Sequence, residues 1–355
     1  MQLRASGLAR PDDFVLRRPE DAVPFTTSPR RHRRSFLTLL LVPLLLLGLV
    51  LGGCGGVDTV DEQAPSSSTS ADPEFPVSVL SGPVTGDTEI TLDEEPTSIV
   101  SLSPTATEML WAVGAGDQVV AVDDQSDYPE GVPATKLSGY QPNVEAILEY
   151  HPDLVIAPDD TGDLVSGLKK ARVPTLLLPA AADLEETYSQ IERVGEATGH
   201  VEEAEGLVEE VRTGIEQAVA DAPDARGVTY FHELTPDLYS ATSDTFIGEV
   251  YGLFDLENIA DRAKGADDYP QLSSEYVVGA NPDVVFLADS QCCGVSAKDV
   301  AKRPGWQQVP AVADDQVHVV DEDVASRWGP RVLGFVQHVS ELLAEREAAL
   351  AGAGG

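Results

Sequence analysis

The feature that most constrains the fold is a helix–strand unit written twice. Residues 143–159 read NVEAILEYHPDLVIAPD, and residues 273–289 read SSEYVVGANPDVVFLAD. A constant offset pairs Glu145 with Glu275, Pro152 with Pro282, Asp153 with Asp283, Val155 with Val285 and Asp159 with Asp289. In each copy a short helix, N-capped by Asn143 or Ser273, meets a Pro-Asp break and then a strand. The strands LVIA and VVFL are apolar throughout, as expected of strands buried on both faces. A repeat at this distance is too widely spaced for a solenoid. It predicts two similar lobes in one molecule.

The rest of the chain can be placed around those units. Residues 88–92 read as an edge strand, 98–102 and 119–122 as core strands, and 175–178 as a fourth. Ser103-Pro104 opens a helix that Gly114 and Gly116 close. Strands alternating with helices predict a mainly parallel, doubly wound α/β sheet. From 183 to about 220 only helical spacing is present, with Leu184, Tyr188, Ile191 and Val194 on one face. Gly199 can bend this stretch, so one long helix or two stacked helices are expected as a connector. The second lobe then has strands at 227–231, 238–240 and 316–320, and helices at 245–254, near 297–302 and at 326–350. The expected organisation is 88–182 for the first lobe, 183–222 for the connector and 223–355 for the second lobe.

Charge separates the N-terminal segment from the remainder. Residues 1–53 hold eight Arg and four acids, leaving 15 Lys+Arg against 56 Asp+Glu beyond them. A surface that acidic repels nucleic acid and anionic lipid. Residues 1–53 have the order of an export signal, with Arg30, Arg31, Arg33 and Arg34 before an apolar run to Leu51. Gly52-Gly53-Cys54 resembles a bacterial lipobox, in which the Cys54 thiol would take the lipid and become the mature N-terminus. Arg33-Arg34-Ser35-Phe36-Leu37 also resembles a twin-arginine signal. Residues 54–87, rich in Ser, Gly, Pro and Asp early on, read as a flexible tether. With Cys54 lipidated, only the adjacent Cys292 and Cys293 remain, either as thiols or as a vicinal disulfide.

Enzymatic motifs are missing. There is no G-x-S-x-G, no H-E-x-x-H and no P-loop, and the six His are scattered without metal-ligand spacing. No catalytic residue, metal ligand or cofactor is assigned. Binding has better candidates. Ligands of doubly wound sheets sit beyond the carboxyl ends of the strands. The loops there carry Thr105 and four aromatics with polar tips: Tyr128, Tyr140, Tyr239 and Trp328. These suit either a cleft wall or packing on their own lobes. Glu145 and Glu275, each in a first helical turn, suit the helix dipole. Equally, they could meet two cationic sockets on a two-fold partner.

Three elements together carry a resemblance: SIVSLSPTATE at 98–108, Ser126-Asp-Tyr-Pro129, and the two units with seven residues between Glu and Asp. Over roughly residues 88–350 the chain resembles the substrate-binding proteins of ABC importers for ferric siderophores, haem and vitamin B12. The resemblance implies the helical-backbone periplasmic-binding fold, two α/β lobes joined by a long rigid helix. It implies a monomer that takes a small cobalt- or iron-containing chelate in a shallow cleft and passes it to a two-fold permease with ATPase subunits. Glu145 and Glu275 match the docking glutamates, and Tyr128 resembles a corrinoid-contacting tyrosine. The expected location is the outer face of the cytoplasmic membrane, through the lipid anchor. Cys292–Cys293 departs from the pattern. Two other readings are an exported enzyme on the same scaffold and a receptor for bare metal ions, which would need three or four ligands converging between the lobes.

Overall fold

The fold is two sheets of one topology, each built around a copy of the repeated unit. The computed structural model describes residues 75–86, 88–263 and 267–353. The export segment, Cys54 and the tether as far as residue 74 lie outside the described residues. The described chain starts with an antiparallel hairpin, β1 (Val77–Leu80) and β2 (Glu89–Leu92). β1 falls inside the stretch read as tether, so folded structure begins earlier than the composition implies. The hairpin is tied down after β1: Gly82 N donates to Leu177 O at 2.8 Å, and Arg193 Nη1 donates to Gly82 O at 2.8 Å.

The first lobe follows as β3 (Ile99–Ser101), α1 (Pro104–Ala112), β4 (Val119–Val122), α2 (Val144–Leu148), β5 (Leu154–Ala157), α3 (Leu164–Lys170) and β6 (Thr175–Leu177). Its strands are all parallel, in the order β4-β3-β5-β6. The connector is two helices, α4 (Leu184–Thr198) and α5 (Val201–Asp221), separated at Gly199, which has φ 81°.

The second lobe contains β7 (Thr229–Glu233), α6 (Phe246–Gly252), β8 (Glu257–Asn258), α7 (Ser274–Ala280), β9 (Val284–Leu287), α8 (Ser290–Cys293), α9 (Ala297–Val300), α10 (Pro310–Ala313), β10 (Val317–Val319), α11 (Glu322–Ser326) and α12 (Val332–Ala353). Its strands are parallel in the order β8-β7-β9-β10. Numbered within each lobe, both orders are second, first, third, fourth. The repeated unit supplies the helix before the third strand and that strand itself.

The two copies share more than the helix and strand. Asn143 Oδ1 and Ser273 Oγ each accept from the backbone N–H three residues on, at 3.1 Å. His151 and Asn281, the residues before the paired prolines, both take left-handed backbone, at φ 53° and 59°. The paired aspartates pin the start of the neighbouring first strand. Asp153 accepts from Thr97 N and Ser98 N, at 2.8 and 3.0 Å. Asp283 accepts from Thr229 N and Oγ1, at 2.9 and 2.8 Å.

Alternation along these strands assigns their two faces to different cores. Leu154 and Ile156, with Val284 and Phe286, join one cluster that also includes Ile191 of α4, Val211 of α5 and Val336 of α12. That cluster is continuous from lobe to lobe. Val155 and Val285 face separate outer clusters, one per lobe.

Three expected elements differ. The stretch 238–240 forms only a bridge, Tyr239 to Gln271. The Cys292–Cys293 loop is the one-turn helix α8. The C-terminal helix, expected from 326, begins only at Val332 as α12, and the separate α11 precedes it across Trp328-Gly329-Pro330, where a proline nitrogen has no proton to continue a helical ladder.

Candidate functional site

A cavity of about 620 Å³ opens where the strands of the first lobe end. Leu102–Thr105 line it after β3, Asp123 after β4, Pro158–Asp159 after β5 and Pro179–Ala180 after β6. Its far wall comes from the second lobe, through Asp323, Ser326, Arg327 and Trp328. A smaller cavity of about 270 Å³ lies at the strand ends of the second lobe, against His232, Leu234, Ala288 and Cys292. The two cavities share Asp323 and Ser326 of α11. Each cavity lies at the carboxyl ends of its own sheet's parallel strands, where doubly wound sheets bind ligands.

Of the residues expected in a ligand cleft, Thr105, Tyr140 and Trp328 line the larger cavity. The Tyr140 side chain stands out into solvent, with 81% of the residue exposed. Tyr128 is elsewhere: its ring lies 4.2 Å from the Arg331 guanidinium, a cation–π contact beside the junction of the lobes. Tyr239 is exposed beyond β7 and lines neither cavity.

The charged residues of the junction were not singled out by sequence. Glu108 of α1 is buried and accepts from Arg327 Nη1 at 2.9 Å and from Arg331 Nε at 2.8 Å. Arg327 also meets Asp127 at 3.1 Å and Asp323 at 2.8 Å. Two arginines of the second lobe thus close on one buried carboxylate of the first. The cost of burying these charges is offset by their mutual hydrogen bonds. Among the described residues Arg327 is the one basic residue lining the larger cavity, and its guanidinium is engaged by three carboxylates. The acids lining it are Asp123, Asp159 and Asp323. Burial holds the Asp123 carboxyl above its usual range, opposed by a hydrogen bond from Ser126.

The second lobe holds a buried polar cluster behind its cavity. Glu233 is buried and bonds Arg303 through both oxygens, at 2.5 and 2.6 Å. Asp289 is also fully buried, and neither of its oxygens has a hydrogen-bond donor. Burial first, and then the charge of Glu233, push the Asp289 carboxyl up to about 7. His232 is wholly buried, with Nδ1 2.9 Å from Tyr251 Oη and Nε2 unpartnered. Burial pushes its imidazole down to about 3, which keeps it neutral. Cys292 and Cys293 are joined by a disulfide.

Glu145 and Glu275 occupy the first turns of α2 and α7. Both are exposed, and neither carboxylate has a partner among the described residues. Helices returning between parallel strands start at the carboxyl edge of the sheet, so both glutamates lie on the cavity side of their lobes. No group of three or more His, Cys, Asp or Glu is arranged to hold a metal among the described residues.

Comparison with known proteins places this arrangement. The family described as periplasmic binding protein matches residues 99–324. The chain is 33% identical over 310 residues to an uncharacterized ABC transporter substrate-binding lipoprotein of Bacillus subtilis (strain 168), covering 84% of this chain and 94% of the relative. It is 34% identical over 315 residues to a cobalamin-binding protein of Halobacterium salinarum, covering 85% and 82%. The crystal structure of the periplasmic vitamin B12 binding protein of Vibrio cholerae superposes with a TM-score of 0.61 at 27% identity, covering 72% of this chain and 99% of that one.

Proposed function

The chain belongs to the periplasmic binding protein family, and from that premise we propose that it is an extracytoplasmic solute receptor of an ABC importer. It captures a small metal chelate between its lobes and delivers it to a two-fold permease driven by ATPase subunits. The metal travels as cargo, and no chemistry is performed on it. Cys54 carries the lipid that holds the receptor, as a monomer, at the outer face of the cytoplasmic membrane. Glu145 and Glu275 dock on the permease.

The observation that carries this reading is the pair of cavities at the carboxyl edges of both sheets, joined through α11. Charge narrows the cargo. The larger cavity is lined by Asp123, Asp159 and Asp323, and its one arginine is already engaged. Such a site favours a ligand whose rim is neutral or cationic over one carrying several carboxylates or catecholates. A corrinoid, with amide groups around its macrocycle, fits that chemistry, and relatives named for cobalamin and vitamin B12 support it. A ferric siderophore of the neutral or cationic kind is the alternative; haem, with two propionates, is disfavoured. Titrating the purified protein with cyanocobalamin, dicyanocobinamide, haemin and ferrioxamine B tests the reading. Corrinoid binding is expected to be the tightest, and absence of binding to all four would overturn it.

A further inference from the structure

The smaller cavity lies at the strand ends of the second lobe, and Tyr239, expected from sequence to line the cleft there, does not line it. Among the described residues no Tyr, Trp or Phe lines it. Cys292 stands in its wall, and both cysteines of the disulfide are exposed. Neighbouring cysteines joined in this way close a small ring that presents two sulfurs on a short, stiff edge. Here the ring is also anchored from outside. Cys292 N donates to Glu322 Oε2 at 3.2 Å, and Gln291 Nε2 donates to Asp321 Oδ2 at 3.1 Å. Ser290 Oγ donates to Val295 O at 2.6 Å across the turn that follows. The anchor on Glu322 is to α11, the helix whose Asp323 and Ser326 also wall the larger cavity. In the same wall as Cys292, buried His232 leaves Nε2 without a partner. A buried polar group of that kind is ordinarily satisfied. A polar group of a ligand, or a water trapped with it, would do so.

We propose that the Cys292–Cys293 disulfide is a ligand-contact surface, the second lobe's counterpart to Tyr140 of the first. Its polarizable sulfurs pack against the face or apolar rim of a metal macrocycle, as sulfur packs on aromatic rings. The proposal rests on the receptor reading and adds to it a cargo contact in the smaller cavity of the second lobe. It also gives the cysteines a role that needs no redox step during transport.

The test uses the full-length protein and whichever of cyanocobalamin, dicyanocobinamide or haemin the parent binds best. The first measurement is protection. The rate at which a phosphine reductant opens the disulfide is followed by iodoacetamide capture and mass spectrometry, with and without saturating probe. Contact predicts at least about a fivefold slowing in the complex, since local access sets the rate of exchange. The second is affinity: Cys292→Ala/Cys293→Ala is expected to weaken binding about three- to tenfold. An unchanged reduction rate in the saturated complex would overturn the proposal, even if the double variant bound poorly, because the loss would then reflect disturbance of α8. If the parent binds none of these macrocycles this proposal falls, and the receptor reading falls with it only if ferrioxamine B also fails to bind. If the parent binds and protection is absent, the receptor reading stands and only the contact is lost.

Discussion

At the end of β9 the Asp289 carboxyl is sealed from water beside Glu233, and the Glu233 charge opposes its ionisation. The folded state therefore binds a proton more tightly than the unfolded chain, where an aspartate titrates near 3.9. The stability this contributes is fully present below about pH 4 and is lost as pH rises through about 7. Asp289→Asn removes the ionisation and keeps the shape. Relative to the parent, the variant should gain up to about 4 kcal/mol at pH 8 and little at pH 4. His232 acts in the opposite sense: its depressed imidazole contributes stability that is lost as pH falls from about 6.5 toward 3. Urea unfolding of variant and parent at both pH values isolates Asp289, and an equal difference at the two would refute the assignment. Sequence identified Asp289 only as the mate of Asp159. The mate is exposed and bonds Thr161 N at 2.8 Å, so one repeat position has two opposite environments. Alternation predicts a buried strand, but the burial of the residue after it depends on what the next turn folds over. Glu108 was unreadable for a related reason, since Arg327 and Arg331 lie more than 200 residues away in the chain.

Among the elements, those with a local cause were the readable ones. The caps of α2 and α7, the fully apolar β5 and β9, and the helical spacing of the connector all appear within a dozen residues of sequence. β1, two-residue β8 and the split before α12 depend on distant partners or on a single proline, and composition mislabelled or missed them. The division of the connector also has a packing cause beyond Gly199. A Cβ placed on Gly195 of α4 would fall 2.4 Å from Ala204 Cβ of α5 and 2.8 Å from His200 O. Backbone and a short side chain cannot move aside, so the two helices would have to separate. Gly195→Ala raises helix propensity by up to about 1 kcal/mol, yet overpacking costs about 1–3 kcal/mol. The net expectation is a loss of stability and a lower thermal midpoint in calorimetry. A midpoint equal to or above the parent's would mean that α4 and α5 do not approach closely in solution.

Across the whole molecule, the continuous core from one sheet through α4, α5 and α12 to the other makes the lobes a single packed body. Glu108 adds a second link on the cleft side, where arginines of the second lobe close on it. With the lobes held by both core and ion network, the separation of Glu145 and Glu275 is set by the fold and not by the ligand. Two exposed, unpaired carboxylates at equivalent positions can then be read by equivalent cations on a two-fold permease. Each such contact is worth little alone at a wet surface, about 0–1 kcal/mol, but two held in fixed register act together and fall with salt. Neither glutamate lines a cavity, so cargo binding and docking should separate cleanly. Glu145→Lys/Glu275→Lys should abolish uptake of a bound chelate by reconstituted permease vesicles while leaving receptor affinity for that chelate within about twofold. Each single reversal should reduce uptake less than the pair does and weaken the fall of uptake with ionic strength, since a contact that salt screens has been removed. Uptake that survives the double reversal would remove these residues from the interface. A parallel loss of chelate affinity would instead place them in the cleft, against the geometry of α2 and α7.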